Sequence, residues 1–213
     1  MGVYKNLFSS SPKTVKKDVN RYTLRNLLNE AIFQYNNRGQ TLFNSEDTSS
    51  YIKHGYVGNS DVYSIINYIL HTVAQVEIDV KVINKRTGKL EDAQESDLAG
   101  VADKFIDSEF KKSVIGYKLV TGDAYIYGLS PDSGINRGKI RELDILPSQM
   151  VNIIAGTTEE PISGYALNIG DNSKKFLPEE VAHIKYWNPG LDNTQSLYGL
   201  SPLESAKILI EQS

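Results

Sequence analysis

The chain has 213 residues, 40% of them hydrophobic, with a formal net charge of −3 and no cysteine. That length and apolar content suit one domain with extensions around a sizeable core, and they exclude a disordered polyelectrolyte. The lack of cysteine excludes disulfides, thiolate nucleophiles and zinc sites built on sulfur.

Charge is unevenly placed. Residues 1–38 hold seven Lys or Arg against Asp18 and Glu30, a net of +5, so a total of −3 leaves −8 for the remainder. A basic arm precedes an acidic body. Lys13, Lys16, Lys17, Arg21 and Arg25 read either as contacts to nucleic acid or an acidic partner, or as the solvated face of a terminal helix. The first residues lack the apolar run of a signal peptide. The longest apolar stretch, Val62 to Val76, is interrupted by Ser64, Asn67, His71, Thr72 and Gln75, and is too short to cross a bilayer core of about 30 Å.

Residues 1–17, with Ser9-Ser10-Ser11-Pro12, read as a lead-in. An amphipathic helix is predicted next: Leu24, Leu27, Leu28, Ala31, Ile32 and Tyr35 recur at helical spacing, Thr23 can cap the start and Gly39 can end it. Residues 40–58 are polar and turn-rich apart from Tyr51, Ile52, Tyr56 and Val57, and read as a loop packed through its tyrosines. Asn59-Ser60-Asp61 then offers caps for a helix whose stripe is Val62, Ile65, Ile66, Ile69, Val73 and Val76. From Glu77 the period falls to two, with Ile78, Val80 and Val82 on one face of a half-buried strand, up to a turn at Arg86-Thr87-Gly88-Lys89.

Helical spacing returns from Ser96 to Thr121, with a break near Asp107-Ser108 and Gly122 as the stop. Asp123 to Leu129 reads as a strand with Tyr125 and Tyr127 on one face, and Gly122-Asp123 as a helix stop followed by a turn. A hairpin connection over 130–138 leads to a strand at Lys139 to Leu143. Further strands are predicted at Met150 to Ile154, Gly164 to Ile169, Lys174 to Leu177 and Val181 to Tyr186. Trp187-Asn188-Pro189-Gly190 reads as a loop anchored by its tryptophan. At Ser201-Pro202-Leu203-Glu204, the serine suits an N-cap, the proline suits the first helical position and the glutamate suits a capping box. That helix carries Leu203, Ala206, Leu209 and Ile210 and reaches Ser213 with no stop signal, so the chain is expected to continue in a longer protein. Helices dominate the first half and strands the second, which points to an α+β fold built on a mainly antiparallel sheet.

No catalytic pattern emerges. His54, His71 and His183 form no metal-binding pair at helical spacing, no serine lies in a nucleophile elbow, and no glycine-rich loop leads into a phosphate-gripping lysine. His183 lies on one strand face with Val181 and Lys185. Asp123 and Asp192 lack further oxygen ligands at a defined spacing, and Glu159-Glu160 and Glu179-Glu180 read as loop charges. No cofactor is expected.

Four segments, in order, nevertheless carry a family resemblance. They are the helix-to-strand unit from Asn59 to Val82; Lys118-Leu119-Val120-Thr121-Gly122-Asp123-Ala124-Tyr125-Ile126; Ile140 through Leu146-Pro147 to Val151; and Glu180-Val181-Ala182-His183-Ile184 with Asn188-Pro189 and Tyr198-Gly199-Leu200-Ser201-Pro202-Leu203-Glu204. The chain resembles the N-terminal part of the portal proteins of tailed double-stranded DNA bacteriophages. The last block is the most specific. The chain departs from the family pattern in lacking a Pro-Asn corner over Ser96 to Phe110, and the segment before Asn59 matches nothing in it.

The resemblance implies a basic arm and helix over 1–40, an α+β wing over 41–200, and the start of a stem-directed helix over 201–213. It implies a structural protein that forms a dodecameric ring at a capsid vertex and hydrolyses no nucleotide itself. Its implied partners are further copies of itself, major capsid and scaffolding proteins, a separate terminase, head-completion proteins and double-stranded DNA in transit, with no membrane. Gly122, Asp123, Tyr125, Leu146, Pro147, His183, Asn188, Pro189, Gly199, Ser201, Pro202, Leu203 and Glu204 are then structural motif positions. An acidic body suits a conduit, because many Lys and Arg contacts would hold DNA phosphates and impede its passage.

Overall fold

The strand Asp123–Leu129 (β4) sits at the centre because both of its faces are apolar. Ala124 and Ile126 point to one side, Tyr125 and Tyr127 to the other, and Ala124 and Tyr125 are almost wholly buried. A strand of this kind needs cover on each face. In the computed structural model, which describes residues 39, 41–42, 48–92, 99–130, 138–157, 159–189, 196–204 and 206, it has both. The basic arm with Lys13, Lys16, Lys17, Arg21 and Arg25, the predicted helix over 24–35, and Asp192 lie outside the described residues.

The helical cover forms from two main elements. Ser60–Ala74 (named α2 here) is capped as its sequence predicts, with Asn59 Oδ1 accepting from the amides of Asp61 and Val62 at 3.0 and 3.1 Å. The stretch 99–121 divides into Ala99–Ile106 (α3) and Ser108–Thr121 (α4), because Asp107 caps a new helix by accepting from the Glu109 amide. Phe110 and Val114 of α4 pack on Ala124 and Ile126 of β4. Residues 40–58, read as loop, are partly helical instead: Thr48–Ser50 (α1) widens into a π-helical turn at Tyr51–Tyr56, with Tyr51 buried against Ile66, Val120 and Leu203. The tyrosine packing was legible; the helical backbone was not.

Two sheets complete the fold, and every described strand pair is antiparallel. Glu142–Leu146 (β5) and Val181–Lys185 (β9) flank β4 in the order β5-β4-β9. Val151–Ala155 (β6), Ile162–Ile169 (β7) and Asn172–Phe176 (β8), with the short Thr41–Leu42 (β1), form a second sheet in the order β1-β6-β7-β8. The main core lies between the sheets, where Tyr125, Ile153, Tyr165, Phe176 and Tyr198 meet. The order of layers is therefore helices, three-stranded sheet, four-stranded sheet, an α+β arrangement as expected.

Some boundaries differ from the sequence reading. β5 begins three residues later than predicted, since the register that buries Leu146 opposite Tyr125 draws the strand toward the Leu146-Pro147 corner. The strand expected from Glu77 forms only at Lys81–Ile83 (β2), in a hairpin with Leu90–Asp92 (β3) that pairs with no other described strand. Trp187 is 81% exposed and anchors nothing; the adjoining loop is held by the Tyr186 amide donating to Gly122 O at 2.9 Å.

Candidate functional site

The end of α4, the start of β4 and the segment 196–204 converge on one buried point. α4 ends at Gly122, whose φ of +86° places it in the left-handed region while its amide donates to Lys118 O at 3.1 Å. A glycine is needed there for a second reason. A Cβ on Gly122 would lie 2.5 Å from Gly199 O, and one on Gly199 would strike Gly122 O. The two glycines bring two backbone segments into contact that no side chain would permit. Gly199 has no positive φ; its requirement for glycine comes from this close approach alone.

Asp123 holds the contact together. It is the first residue of β4, only 2% exposed, and not the turn residue read from Gly122-Asp123. Its Oδ1 accepts from the Gly199 amide and bonds His183 Nε2, each at 2.7 Å. Both side chains of the Asp123–His183 pair are nearly inaccessible, at 3% and 6%. The His183 ring stacks on Tyr125 at 4.4 Å and meets Tyr165 edge-on at 5.9 Å, so the aromatic core fixes its orientation. A buried charged acceptor with two donors is well satisfied, and one deprived of them would be costly.

Five further side chains tie the surroundings of the pair together. Ser201 Oγ donates to Val120 O at 2.6 Å and accepts from the Leu203 amide at 3.1 Å. Tyr198 is buried, and its hydroxyl accepts from the Ile153 amide of β6 at 2.8 Å. Lys185 Nζ donates to the carbonyls of Ser196 and Leu197. The Leu146-Pro147 corner turns the chain so that Ser148 Oγ donates to Asp123 O at 2.8 Å, and Thr121 Oγ1 donates to the same carbonyl at 2.9 Å.

The sequence-derived motif residues divide accordingly. Gly122, Asp123, Tyr125, Leu146, His183, Gly199, Ser201 and Leu203 are brought together at or beside the junction, with Pro147 forming its corner. Pro202 is an exposed first helical residue and Pro189 is exposed beside Asn188, outside this cluster. Glu204 donates its amide to Ser201 O, but its Oε2 is buried without a hydrogen-bond partner, so that atom closes no capping box. Thr121, Ser148, Tyr165 and Lys185 were not singled out from sequence. For Ser148, the one available signal was its place directly after the Leu-Pro corner.

Burial governs the electrostatics. It raises the Tyr125 and Tyr198 hydroxyls well above their usual range and Tyr165 to about 12, with the Asp123 charge adding to each. Burial also lowers the Lys185 ammonium, and Asp123 partly opposes that shift. The arrangement is one of attachment. The hydroxyls of Thr121, Ser148 and Ser201 donate to backbone carbonyls, so none of the three is poised on His183 as a nucleophile. Among the described residues no group of three or more His, Asp or Glu is placed to hold a metal ion, and no helix is long and apolar enough to cross a membrane.

Solved structures share this fold. The chain superposes on a chain of "Neck of empty GTA particle computed with C6 symmetry" with a TM-score of 0.67 at 23% identity, covering 87% of this chain and 48% of that one. It also superposes on "Virion of native gene transfer agent (GTA) particle" with a TM-score of 0.63 at 22% identity, covering 87% and 47%. For "Neck of native GTA particle computed with C12 symmetry" the TM-score is 0.61 at 22% identity, covering 86% and 47%. The chain thus spans about half the length of those it matches. No curated protein gives a significant match. The sequence profile of the family described as "Phage portal protein" matches residues 60–213, well over half of the chain and all of the buried junction, and the chain belongs to that family.

Proposed function

We propose that this chain is the wing of a portal subunit: a structural protein that assembles with copies of itself into a ring, with twelve the expected number, at the capsid vertex. In this reading DNA enters and leaves through the ring, and a separate terminase supplies the driving force. Capsid, scaffolding and head-completion proteins dock on its outer surface. Residues 41–200 are the wing and residues 201–213 begin the helix toward the stem.

The observation that carries the reading is the junction. Three of the four motif segments meet there, Ile66 of the first packs beside it on Val120 and Leu203, and the stretch 196–204 is fastened to α4, β4, β6 and β9. A helix starting at Pro202 from so firm a base would transmit the wing's position to whatever follows. The test is the full-length protein, examined by mass photometry and negative-stain microscopy. Rings with twelvefold averages support the reading, and a stable monomer under all conditions refutes it.

The net charge of +5 over residues 1–38 favours a second reading, a nucleic-acid-binding module acting through the arm. It requires DNA affinity that falls steeply with salt and collapses when Lys13, Lys16, Lys17, Arg21 and Arg25 are neutralised. Absence of binding at low salt would remove it.

A further inference from the structure

Successive side chains of a strand point to opposite faces of its sheet. In the four-stranded sheet, Val151, Ile153, Tyr165, Leu167 and Phe176 face the core between the sheets. The outer face therefore belongs to the residues between them: Asn152 pairs with Ala166, Ile154 with Gly164, and Ala166 with Lys175. An antiparallel sheet with nothing on its outer face shows polar, wetted residues there. Here Ile154 is 8% exposed and Ala166 1%, and Gly164 is buried too, whereas Ser173 and Lys175 on β8 are exposed. The outer face is covered over β6 and β7 and open over β8.

The described residues do not supply that cover. Ile154 lies over Gly164, with its Cδ1 3.6 Å from where a Cβ would stand. Neither Ile154 nor Ala166 belongs to an apolar cluster among the described residues, and no described α-helix packs substantially on this sheet. The burial arises within a single chain, so another stretch of the same chain provides it.

Chain continuity says which stretch. The Gly39 amide donates to Ala155 O at 2.7 Å, and Thr41 stands opposite Ile154 on the outer face, so the residues ahead of Gly39 reach the sheet at the covered end. Gly39 has a φ of +75°, the conformation in which helices commonly end. The other candidates are tethered elsewhere. Residues 43–47 are taken up in joining β1 to α1. The stretches 93–98, 131–137 and 190–195 join elements of the hairpin, the helical layer and the three-stranded sheet, and the helix after Glu204 starts from Leu203, which packs on Tyr51, Ile66 and Val120.

We infer that the amphipathic segment from Leu24 to Tyr35, which lies outside the described residues, docks as a helix on the outer face of β6 and β7. A helix is about 10 Å wide and strands are about 4.8 Å apart, so one helix covers two strands and leaves a third open, which is the footprint observed. Gly164 and Ala166, with little or no side chain, let it approach closely. The fold then has four layers, and the lead-in with Lys13, Lys16 and Lys17 departs from the side opposite α2 and α4. This goes beyond the portal reading and does not depend on it.

The chain has no cysteine, so introduced thiols report cleanly. In the whole chain, Ala166→Cys is expected to react with a bulky maleimide about tenfold or more slowly than Ser173→Cys, because reaction needs the cover to open. Leu28→Asp with Ile32→Asp is expected to abolish that protection while the Gly199 amide stays protected from exchange, which shows the junction intact. A short bis-maleimide is expected to join Ala166→Cys to Ala31→Cys or Ile32→Cys within one copy, and not to Asn26→Cys, which helical spacing puts on the opposite side of the segment. Fast labelling of Ala166→Cys in the otherwise unaltered chain overturns the docking, as do cross-links formed equally from Asn26→Cys or only between copies. Protection that survives the Asp substitutions assigns the cover to another stretch and overturns it as well. Ring formation is read separately by mass photometry, so failure of the portal reading is a distinct result.

Discussion

Removing the Asp123 carboxylate tests whether the junction is held by that group. In Asp123→Ala, the Gly199 amide and His183 Nε2 each lose a partner 2.7 Å away, in a site where the aspartate side chain is 3% exposed and the histidine 6%. An unsatisfied buried donor costs about 1–3 kcal/mol, and two are left here, so the expected loss is about 4 kcal/mol. The Asp123 carbonyl keeps its bonds from Thr121 and Ser148, so the start of β4 stays in place and the loss is not one of strand register. Asp123→Asn is the control. Its amide oxygen can occupy the same position and accept both bonds, and neutral bonds are about half as strong as charged ones, so it should cost only about 1–2 kcal/mol. Urea denaturation followed by circular dichroism gives both values, and amide exchange at Gly199 reads the junction directly. Equal stability for the Ala and Asn variants, or a cost below about 1 kcal/mol for Ala with Gly199 still protected, would refute the argument.

Gly199→Ala introduces a Cβ that strikes Gly122 O and lies 3.0 Å from Asp123 Oδ1, and because the first obstacle is backbone the cost should be about 1–3 kcal/mol or more, read as a lower urea midpoint. A neutral outcome would mean that the two segments are free to part. Ser201→Ala removes the cap on the Leu203 amide and the donor to Val120 O together, for an expected loss of about 1–3 kcal/mol in thermal or urea unfolding; unchanged stability would show that the helix start does not rely on that cap. At alkaline pH the sign follows from the raised tyrosines. The folded state holds Tyr165 neutral up to about 12 against an ordinary value of 10.0, so its stabilising contribution is complete below pH 10 and is lost as the pH rises toward 12. Tyr125 and Tyr198 act in the same direction. Tyrosinate absorbance should therefore rise together with unfolding above pH 10, and full tyrosine ionisation in a still-folded protein would contradict their burial.

Legibility in the sequence followed the range of the interactions. α2 could be read because its cap, its acidic first turn and its apolar stripe all lie within its own residues, and β4 because its alternation does. Gly122 could be read as a helix stop from its position alone. Asp123 could not be read for its role, since its partners Gly199 and His183 lie 76 and 60 residues away and nothing local distinguishes it from a turn aspartate. The role of Gly199 could not be read either, because close approach between distant backbones leaves no trace in spacing. Trp187 misled in the opposite direction: a large aromatic is a good prior for an anchor, but it lies beyond the end of β9 at Lys185 and is 81% exposed. The resemblance to portal proteins succeeded where periodicity could not, since it rested on the order of four segments, three of which meet at the buried junction.

The chemistry of that layer bears on why a structural protein would bury an aspartate and a histidine at all. Replacing such a pair with well-packed apolar residues is often neutral or stabilising, so stability alone does not account for it. What a hydrophobic contact lacks is direction: it holds two surfaces together over a range of angles. The Gly122–Gly199 contact with its Asp123 bond is directional, because sliding the 196–204 segment along α4 parts the Gly199 amide from a buried carboxylate. Ser201 and Tyr198 fix the same segment to Val120 and Ile153, so its orientation is set from two sides. In a ring subunit, an angular error at the base of a helix grows with distance along it. If the proposed function is right, the directional bonds at Asp123 serve chiefly to set the helix angle, and Asp123→Asn should then disturb the uniformity of assembled rings more than its small cost in stability would suggest.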